Sequence, residues 1–126
     1  HLSKEWTTDE VPLSIPTGRI PTVPDAAEAL MTATWDRVRP SDIDRNDHVN
    51  NARYVQWLSD QAPELVSAER PGMFTFTAET RAEQEFTVVA GHAGPVSVAE
   101  VWVRDRGAAP ETAVCACRFN RLETGE

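Results

Sequence analysis

The spacing of hydrophobic and polar positions changes along the chain, and the change predicts a helix followed by strands. Between residues 51 and 61 the larger apolar side chains are Tyr54, Trp57 and Leu58. Intervals of three to four residues indicate one face of a helix. Asn50 stands where an N-cap is expected. A helix counted from Asn51 through residue 68 would be about 27 Å long at about 1.5 Å per residue.

Beyond this helix the pattern alternates with a period of two, which is typical of strands. In residues 74–90, Phe74, Phe76 and Phe86 share one parity, whereas Glu79 and Glu83 share the other. This predicts one long half-buried strand, bent or bulged because of its length. Turns at residues 91–94 and 107–110 then predict two further strands, at 95–106 and 111–123. With a strand at 32–40, the order predicts an α+β fold in which a curled antiparallel sheet wraps a long central helix.

The first 24 residues carry four prolines and form no element in this reading. Proline at this density is incompatible with a helix or a central strand, so the segment is interpreted as a linker or an arm laid over a surface. Residues 25–31 could form a short helix, with Asp25 as N-cap and Glu28 in a capping box. We therefore predict a proline-rich arm at 1–32 and a folded domain at 33–126. Because the chain begins with His1, we expect it to be part of a longer protein.

Composition narrows the function classes. The 126 residues fit one domain, and the formal net charge of −8 argues against nucleic acid as a partner. No apolar run approaches the roughly 18 residues that cross a bilayer, and no signal-peptide pattern is visible, so no membrane partner and a cytoplasmic location are predicted. Cys115 and Cys117 lie two residues apart, a poor geometry for a disulfide, and are interpreted as small buried residues in a reducing compartment.

The candidate chemistry lies in the polar stretch before the helix. Asp44, Asn46 and His48 alternate and would span about 13 Å in extended chain, so a shared task requires a curled loop. A helix N-terminus can stabilise an oxyanion through its free N–H groups, and a carboxylate beside it can act as nucleophile or general base. Asp44 is the candidate carboxylate. Caps and Asx-turns are the structural alternative for the same residues. The surrounding arginines are either solvated charge or a site for an anionic ligand: Arg37, Arg39, Arg45 and Arg53.

The stretch "SDIDRNDHVNNARYVQWLSDQAPE" resembles the acyl-ACP thioesterase family, whose hotdog domains carry the pattern D-x-D-x-N-x-H-V-N-N-x-x-Y-x-x-W. Residues 42–57 match it throughout. The resemblance implies a hotdog fold, hydrolysis of fatty acyl-ACP to free acid and carrier thiol, and no metal or organic cofactor. It places catalytic groups on Asp44, Asn46 and His48 and on a strand acid that matches Glu83. We assign substrate binding to four motif residues: Asn50, Asn51, Tyr54 and Trp57.

Two further implications concern mechanism and assembly. Plant members have Cys directly after the strand acid, and Gln84 stands there in this chain. The resemblance therefore favours a carboxylate mechanism over a thiol one. The proline-containing stretch is similar to the connection before the second hotdog of double-hotdog members. We accordingly expect this chain to be a C-terminal half that pairs with a second hotdog domain, either as a homodimer or with an N-terminal half.

Three alternatives stay open. The 4-hydroxybenzoyl-CoA type of thioesterase has D-x-D-x-x-G-H-V-N-N, but Asp47 occupies its Gly position; its substrate carrier would be CoA. Hotdog enoyl hydratases use D-x-N-P-x-H, and this chain lacks that Pro and that spacing. A non-catalytic hotdog that binds acyl thioesters would have little need for Asp44. A substitution at Asp44 separates the last alternative from an enzyme, because an enzyme would lose turnover and keep its ligand.

Overall fold

The fold is α+β, with a five-stranded antiparallel sheet and two α-helices in the residues that the structure describes. The computed structural model describes residues 21–67 and 69–123, so the predictions for residues 1–20 lie outside the described part. The elements in chain order are α1 (Ala26–Thr32), β1 (Asp36–Arg37), a 3-10 turn (Pro40–Asp42), α2 (Asn51–Gln61), β2 (Met73–Phe76), β3 (Gln84–Ala93), β4 (Val96–Asp105), a second 3-10 turn (Pro110–Thr112) and β5 (Val114–Leu122).

The strands are arranged in the order β1-β3-β4-β5-β2, and each neighbouring pair is antiparallel. β3 and β4 form a hairpin that closes at Ala93 and Val96. Gly94 takes a φ of +62° in the two-residue turn between them, a conformation that glycine adopts at little cost. The observed turn, at residues 94–95, therefore lies later than the predicted turn at 91–94, because β3 continues to Ala93.

Residues 74–90 form two strands, so the predicted single strand is wrong. β2 pairs with β5 at one edge of the sheet, whereas β3 pairs with β1 and β4 at the other side. Residues 77–83 leave the sheet as a loop between them, which we call the Glu79 loop. The alternation of residue types continued through this loop, but the tertiary contacts of the loop override it. The predicted strand at 32–40 is likewise reduced to Asp36–Arg37.

Helix α2 begins as the sequence predicts and ends early. The Asn50 side chain accepts a hydrogen bond from the Ala52 N–H at 2.8 Å, which confirms it as N-cap. The helix ends at Gln61, and its 11 residues correspond to about 16 Å. The prediction of a longer helix to residue 68 is wrong. Ala62 has φ −133° and ψ 60°, outside the helical region, and it precedes Pro63, whose ring disfavours a helical conformation in the residue before it.

Both faces of the sheet are covered. On one face, α2 buries Tyr54, Trp57 and Leu58 against the strands, and the rings of Trp57 and Phe86 stack with centroids 3.7 Å apart. On the opposite face, a second cluster joins the segment before and within α1 to β3 and β4: Val23, Leu30, Val89, Val96 and Val98. The predicted short helix is present, with Asp25 at its N-cap position as predicted, but the side chain of Asp25 does not cap the helix. Its backbone is left-handed, with φ +57°, and its side chain makes no cap hydrogen bond.

A buried carboxylate fastens the segment before α1 to the sheet. Glu100 of β4 is fully buried and accepts hydrogen bonds from Arg118 Nε at 2.7 Å and Trp102 Nε1 at 2.8 Å. It also accepts the backbone N–H of Val23 at 3.1 Å. Buried charges are tolerated when they are paired and hydrogen-bonded, and this one meets both conditions. Val23 is thereby held against β4, the central strand, on the face of the sheet opposite α2.

The two cysteines are free thiols, as predicted. Cys117 is buried but Cys115 is only half-buried, because a bulge between Val101 and Trp102 of β4 shifts the register of β5. Burial raises the pKa of Cys115 to about 11 and that of Cys117 further. Within residues 21–67 and 69–123, no helix has the length and apolar character needed to cross a membrane.

Candidate active site

The polar stretch ahead of α2 is a tight loop, as its composition predicted. The Asp44 N–H donates to the His48 carbonyl at 2.9 Å, and the Asp47 N–H donates to the Asp44 carbonyl at 3.1 Å. Asp47 takes a φ of +66°, a left-handed conformation that Asp and Asn adopt more readily than most residues. A bridge between Ile43 and Val49 closes the base of this loop, residues 43–49, which we call the Asp44 loop. The curled loop brings the ends of the Asp44–His48 stretch together.

Asp44 uses one carboxylate oxygen to hold this loop. Oδ1 accepts the Asn46 N–H at 2.8 Å and lies 3.5 Å from the His48 N–H, which is an Asx-turn geometry. Among the described residues, no donor reaches the second oxygen. Asp44 also lines a cavity of about 330 Å³. The carboxylate is therefore both a structural anchor and a group that a ligand in this cavity could meet.

His48 faces a carboxylate that sequence reasoning did not select. His48 Nε2 lies 3.2 Å from Glu79 Oε1, with the two side chains 31% and 68% exposed. A carboxylate at this distance accepts a hydrogen from Nε2, so Nδ1 is the nitrogen that can take a proton when the ring is neutral. Sequence reasoning placed Glu79 and Glu83 on the same face of one predicted strand, and the resemblance selected Glu83 as the catalytic acid.

Glu83 lies four residues further along the chain. It is exposed in the turn before β3, and its carbonyl accepts the Arg106 N–H at 3.3 Å. In the part of the chain that the structure describes, its side chain makes no ion pair. The catalytic role that the resemblance assigned to Glu83 stays a prediction.

The N-terminus of α2 adjoins the same cavity. Ala52 and Arg53 already donate their N–H groups to Asn50, to its side chain and its carbonyl respectively. The bridge between Ile43 and Val49 directs the Asn50 N–H toward the Asp42 carbonyl. Within the described ranges, the Asn51 N–H donates to no protein acceptor, so it is the candidate for holding an oxyanion. Asn50 lines the cavity with Asp44. The predicted site residue Asn46 is exposed on the loop.

Asp42, the first acid of the motif, has a structural role. Its oxygens accept the Arg39 N–H at 2.8 Å and Arg53 Nε at 3.0 Å, so it ties the 3-10 turn to helix α2. A second cavity, of about 270 Å³, lies beside it. Three arginines and three aspartates line it in balance: Arg37, Arg39, Arg53, Asp36, Asp42 and Asp60. Arg39 and Arg53 face aspartates at 3.8 Å and 3.0 Å, so most of this positive charge is already neutralised.

Comparison of the sequence with known protein families assigns the chain to one of them. Residues 27–100 match the family described as the acyl-ACP thioesterase C-terminal domain, which is more than half of the chain. The chain belongs to the acyl-ACP thioesterase family. The resemblance drawn from residues 42–57 is thereby confirmed, and the Asp44 loop, α2 and the Glu79 loop all lie within the matched residues.

A solved structure shows the same fold. An acyl-ACP thioesterase from Bacteroides thetaiotaomicron superposes with a TM-score of 0.55 at 21% sequence identity. The match covers 88% of this chain and 43% of the Bacteroides chain, so the present chain spans less than half the length of that relative. No curated protein sequence matches the chain.

The two aromatic motif residues lie deeper than a substrate-binding role suggests. Tyr54 is 1% exposed, and its hydroxyl donates to Thr80 Oγ1. Trp57 stacks on Phe86 and lines the cavity beside Asp42. Their predicted role in substrate binding, like that of the exposed Asn51, stays a prediction. Tyr54 offers almost no surface to a ligand.

Proposed function

We propose that this chain is the catalytic C-terminal hotdog half of an acyl-ACP thioesterase, which hydrolyses fatty acyl-ACP to the free acid and the carrier thiol. One observation carries the proposal. Asp44 and the N-terminus of α2 adjoin one open cavity of about 330 Å³, in a loop whose sequence matches this family from residue 42 to residue 57. The match of residues 27–100 to the C-terminal domain of the family supports it.

Asp44 is the reacting carboxylate in this proposal. Its free oxygen acts at the thioester carbonyl carbon, either directly or by taking a proton from a water molecule that attacks. The carbonyl oxygen becomes negatively charged and is held by the Asn51 N–H and the helix dipole at the start of α2. The carbon–sulfur bond then breaks, and the sulfur takes up a proton and leaves as a thiol. In the water route the acyl group is then already the carboxylic acid. In the direct route a water molecule first hydrolyses the anhydride formed between Asp44 and the acyl group, which restores the carboxylate of Asp44.

His48 assists at the same loop, and Glu79 orients it. With Nε2 hydrogen-bonded to Glu79, the His48 ring has a defined orientation and tautomer. Nδ1 is then the nitrogen able to accept a proton from water or to pass one to the departing sulfur. Glu79 takes in this proposal the role that the resemblance gave to Glu83. Asn46 contributes a carboxamide on the exposed side of the loop.

The second half of the acyl-binding site comes from a partner in this proposal. The cavity beside Asp44 is open, and the Bacteroides relative is more than twice as long as the part that this chain matches. A paired hotdog, from an N-terminal half or a second copy, would close the cavity and enclose the acyl chain. Light scattering of the purified chain, with and without a co-expressed N-terminal half, measures this pairing. A strictly monomeric chain that hydrolyses substrate at full rate would contradict it.

The experiment that tests the function measures thiol release from a panel of acyl-ACP and acyl-CoA substrates. The variants are Asp44→Asn and its neighbour Asp47→Asn. Asn keeps an oxygen for the Asn46 N–H and tolerates the left-handed backbone of residue 47, so both variants preserve the loop. We expect Asp44→Asn to lose on the order of a hundredfold or more in rate and Asp47→Asn to retain it. Equal rates in all three proteins would refute the role of Asp44.

A further inference from the structure

A buried hydrogen bond connects helix α2 to the Glu79 loop directly beside the His48–Glu79 contact. The Tyr54 hydroxyl donates to Thr80 Oγ1 at 2.6 Å and lies 3.3 Å from the Ala78 carbonyl oxygen. Tyr54 is 1% exposed and Thr80 fully buried, so water does not compete for this contact. The residues on both sides of Glu79 are thus fixed to one side chain of the helix.

The donor keeps its proton over the whole range in which proteins are assayed. Burial raises the pKa of Tyr54 to about 12, which outweighs the smaller opposing effect of the Thr80 hydrogen bond. The connection between helix and loop therefore does not change with pH near neutrality.

The same loop also holds the backbone next to His48. The Thr80 carbonyl accepts the Val49 N–H at 2.9 Å. Thr80 thus contacts helix α2 through its hydroxyl and the Asp44 loop through its carbonyl, while the carboxylate of its neighbour Glu79 lies 3.2 Å from His48 Nε2. Glu79 is 68% exposed and has little packing of its own. Its position depends on the two buried residues that flank and anchor it.

We propose that Tyr54 is a positioning residue, which acts through Thr80 to hold Glu79 against His48. The inference rests on the proposed function of the Asp44 loop and adds the device that fixes its histidine. Tyr54 belongs to the motif, but its hydroxyl points to the Glu79 loop and is used there. The positioning role takes the place of the substrate contact predicted for it.

The test reads His48 directly by NMR, using histidine labelled with 15N and long-range proton–nitrogen correlation of the ring. The variants are Tyr54→Phe, Glu79→Gln and their combination, with His48→Gln to assign the signal. Thr87→Val is the matched control, because the buried Thr87 hydroxyl also makes one hydrogen bond, of 2.9 Å to the Thr34 carbonyl, outside this connection.

We expect the wild type to hold the hydrogen on Nε2, and both Tyr54→Phe and Glu79→Gln to shift His48 toward the tautomer mixture of a free histidine. The double variant should add nothing to Glu79→Gln alone, and Thr87→Val should leave the signal unchanged. Where turnover is measurable, Tyr54→Phe should lower kcat on the order of tenfold with KM unchanged.

An unchanged His48 signal in Tyr54→Phe beside a changed one in Glu79→Gln overturns the inference. So does a signal that moves equally in Thr87→Val. Should Tyr54→Phe fail to fold, Thr80→Val removes the acceptor from the other side, and Thr80→Ser should restore the wild-type signal. These readings need no catalysis. A wild-type His48 signal that responds to Tyr54→Phe as expected, in a protein that is paired with its partner half and still does not hydrolyse acyl-ACP, would refute the proposed function and leave the positioning inference standing.

Discussion

Replacing Glu79 by Gln tests whether the carboxylate that assists His48 is Glu79, which contacts it in the structure, or Glu83, which matches the strand acid of the family pattern. The substitution keeps the size of the side chain and removes its charge. Glu79 is 68% exposed and His48 31% exposed, and ion pairs this open to solvent contribute about 0–1 kcal/mol to stability. The melting temperature should therefore fall by no more than a few degrees.

The effect on turnover should be larger than the effect on stability. General acid–base groups contribute on the order of 10²- to 10⁴-fold in rate, and Glu79 orients such a group without carrying the proton itself. We expect kcat for acyl-ACP hydrolysis to fall on the order of 10- to 100-fold, at unchanged KM. The assay is release of free thiol at saturating substrate, with folding checked by circular dichroism.

Glu83→Gln is the matched control, since it makes the same chemical change four residues away on an exposed side chain. It should cost about twofold or less in kcat, as expected for a surface position outside the site. A large loss in Glu83→Gln together with wild-type turnover in Glu79→Gln would refute the reasoning. The strand acid of the family pattern would then be Glu83, and the His48–Glu79 contact would have no catalytic role.

Three predictions concern stability. Glu100→Ala should lower the free energy of unfolding in urea by about 3 kcal/mol, because it leaves the largely buried Arg118 unpaired. The control Arg39→Gln removes an exposed ion pair and should change this free energy by less than about 0.5 kcal/mol. Equal effects of the two substitutions would contradict a stabilising role of the buried Glu100 contacts. Gly72→Ala should cost about 1–3 kcal/mol, because its Cβ would lie 2.4 Å from a backbone carbonyl oxygen of β5; a wild-type melting temperature would contradict this. The Ser97 hydroxyl, and then Arg121, lower the pKa of Glu123, so this carboxylate stabilises the fold above its unfolded pKa, and the contribution is lost as the pH falls through the folded pKa. In Glu123→Gln, the free energy of unfolding should therefore fall less steeply than in the wild type as the pH is lowered into the acid range. The same dependence on pH in both proteins would contradict the role of Glu123.

The sequence predicted the start of α2 and the curled loop because their signals are local. Asn50 caps the helix through its own side chain, and Asp44 closes its loop through hydrogen bonds to residues two and four positions away. Interactions over this range depend on residue type and spacing. Neither depends on where the sheet lies, and both were visible in the order of the residues.

The end of the helix, the division of residues 74–90 and the partner of His48 depend on tertiary contacts. Pro63 was compatible with either a continued or a terminated helix, and the backbone at Ala62 decides it. The Glu79 loop leaves the sheet because Tyr54 and Val49, 26 and 31 residues earlier, bind Thr80. Alternating residue types carry no information on such a contact, so the pattern did not show that Glu79 faces His48.

The measurement that tests the central claim most directly follows turnover and binding on the same samples of wild type and Asp44→Asn. Thiol release from acyl-ACP reports turnover, and calorimetric titration with an acyl-thioether analogue, which cannot be hydrolysed, reports binding. We expect Asp44→Asn to lose on the order of a hundredfold or more in turnover while its Kd stays within about twofold of wild type. Wild-type turnover in Asp44→Asn would contradict the account. Tight binding without hydrolysis in either protein would contradict it too, and would indicate an acyl-thioester-binding domain in place of an enzyme.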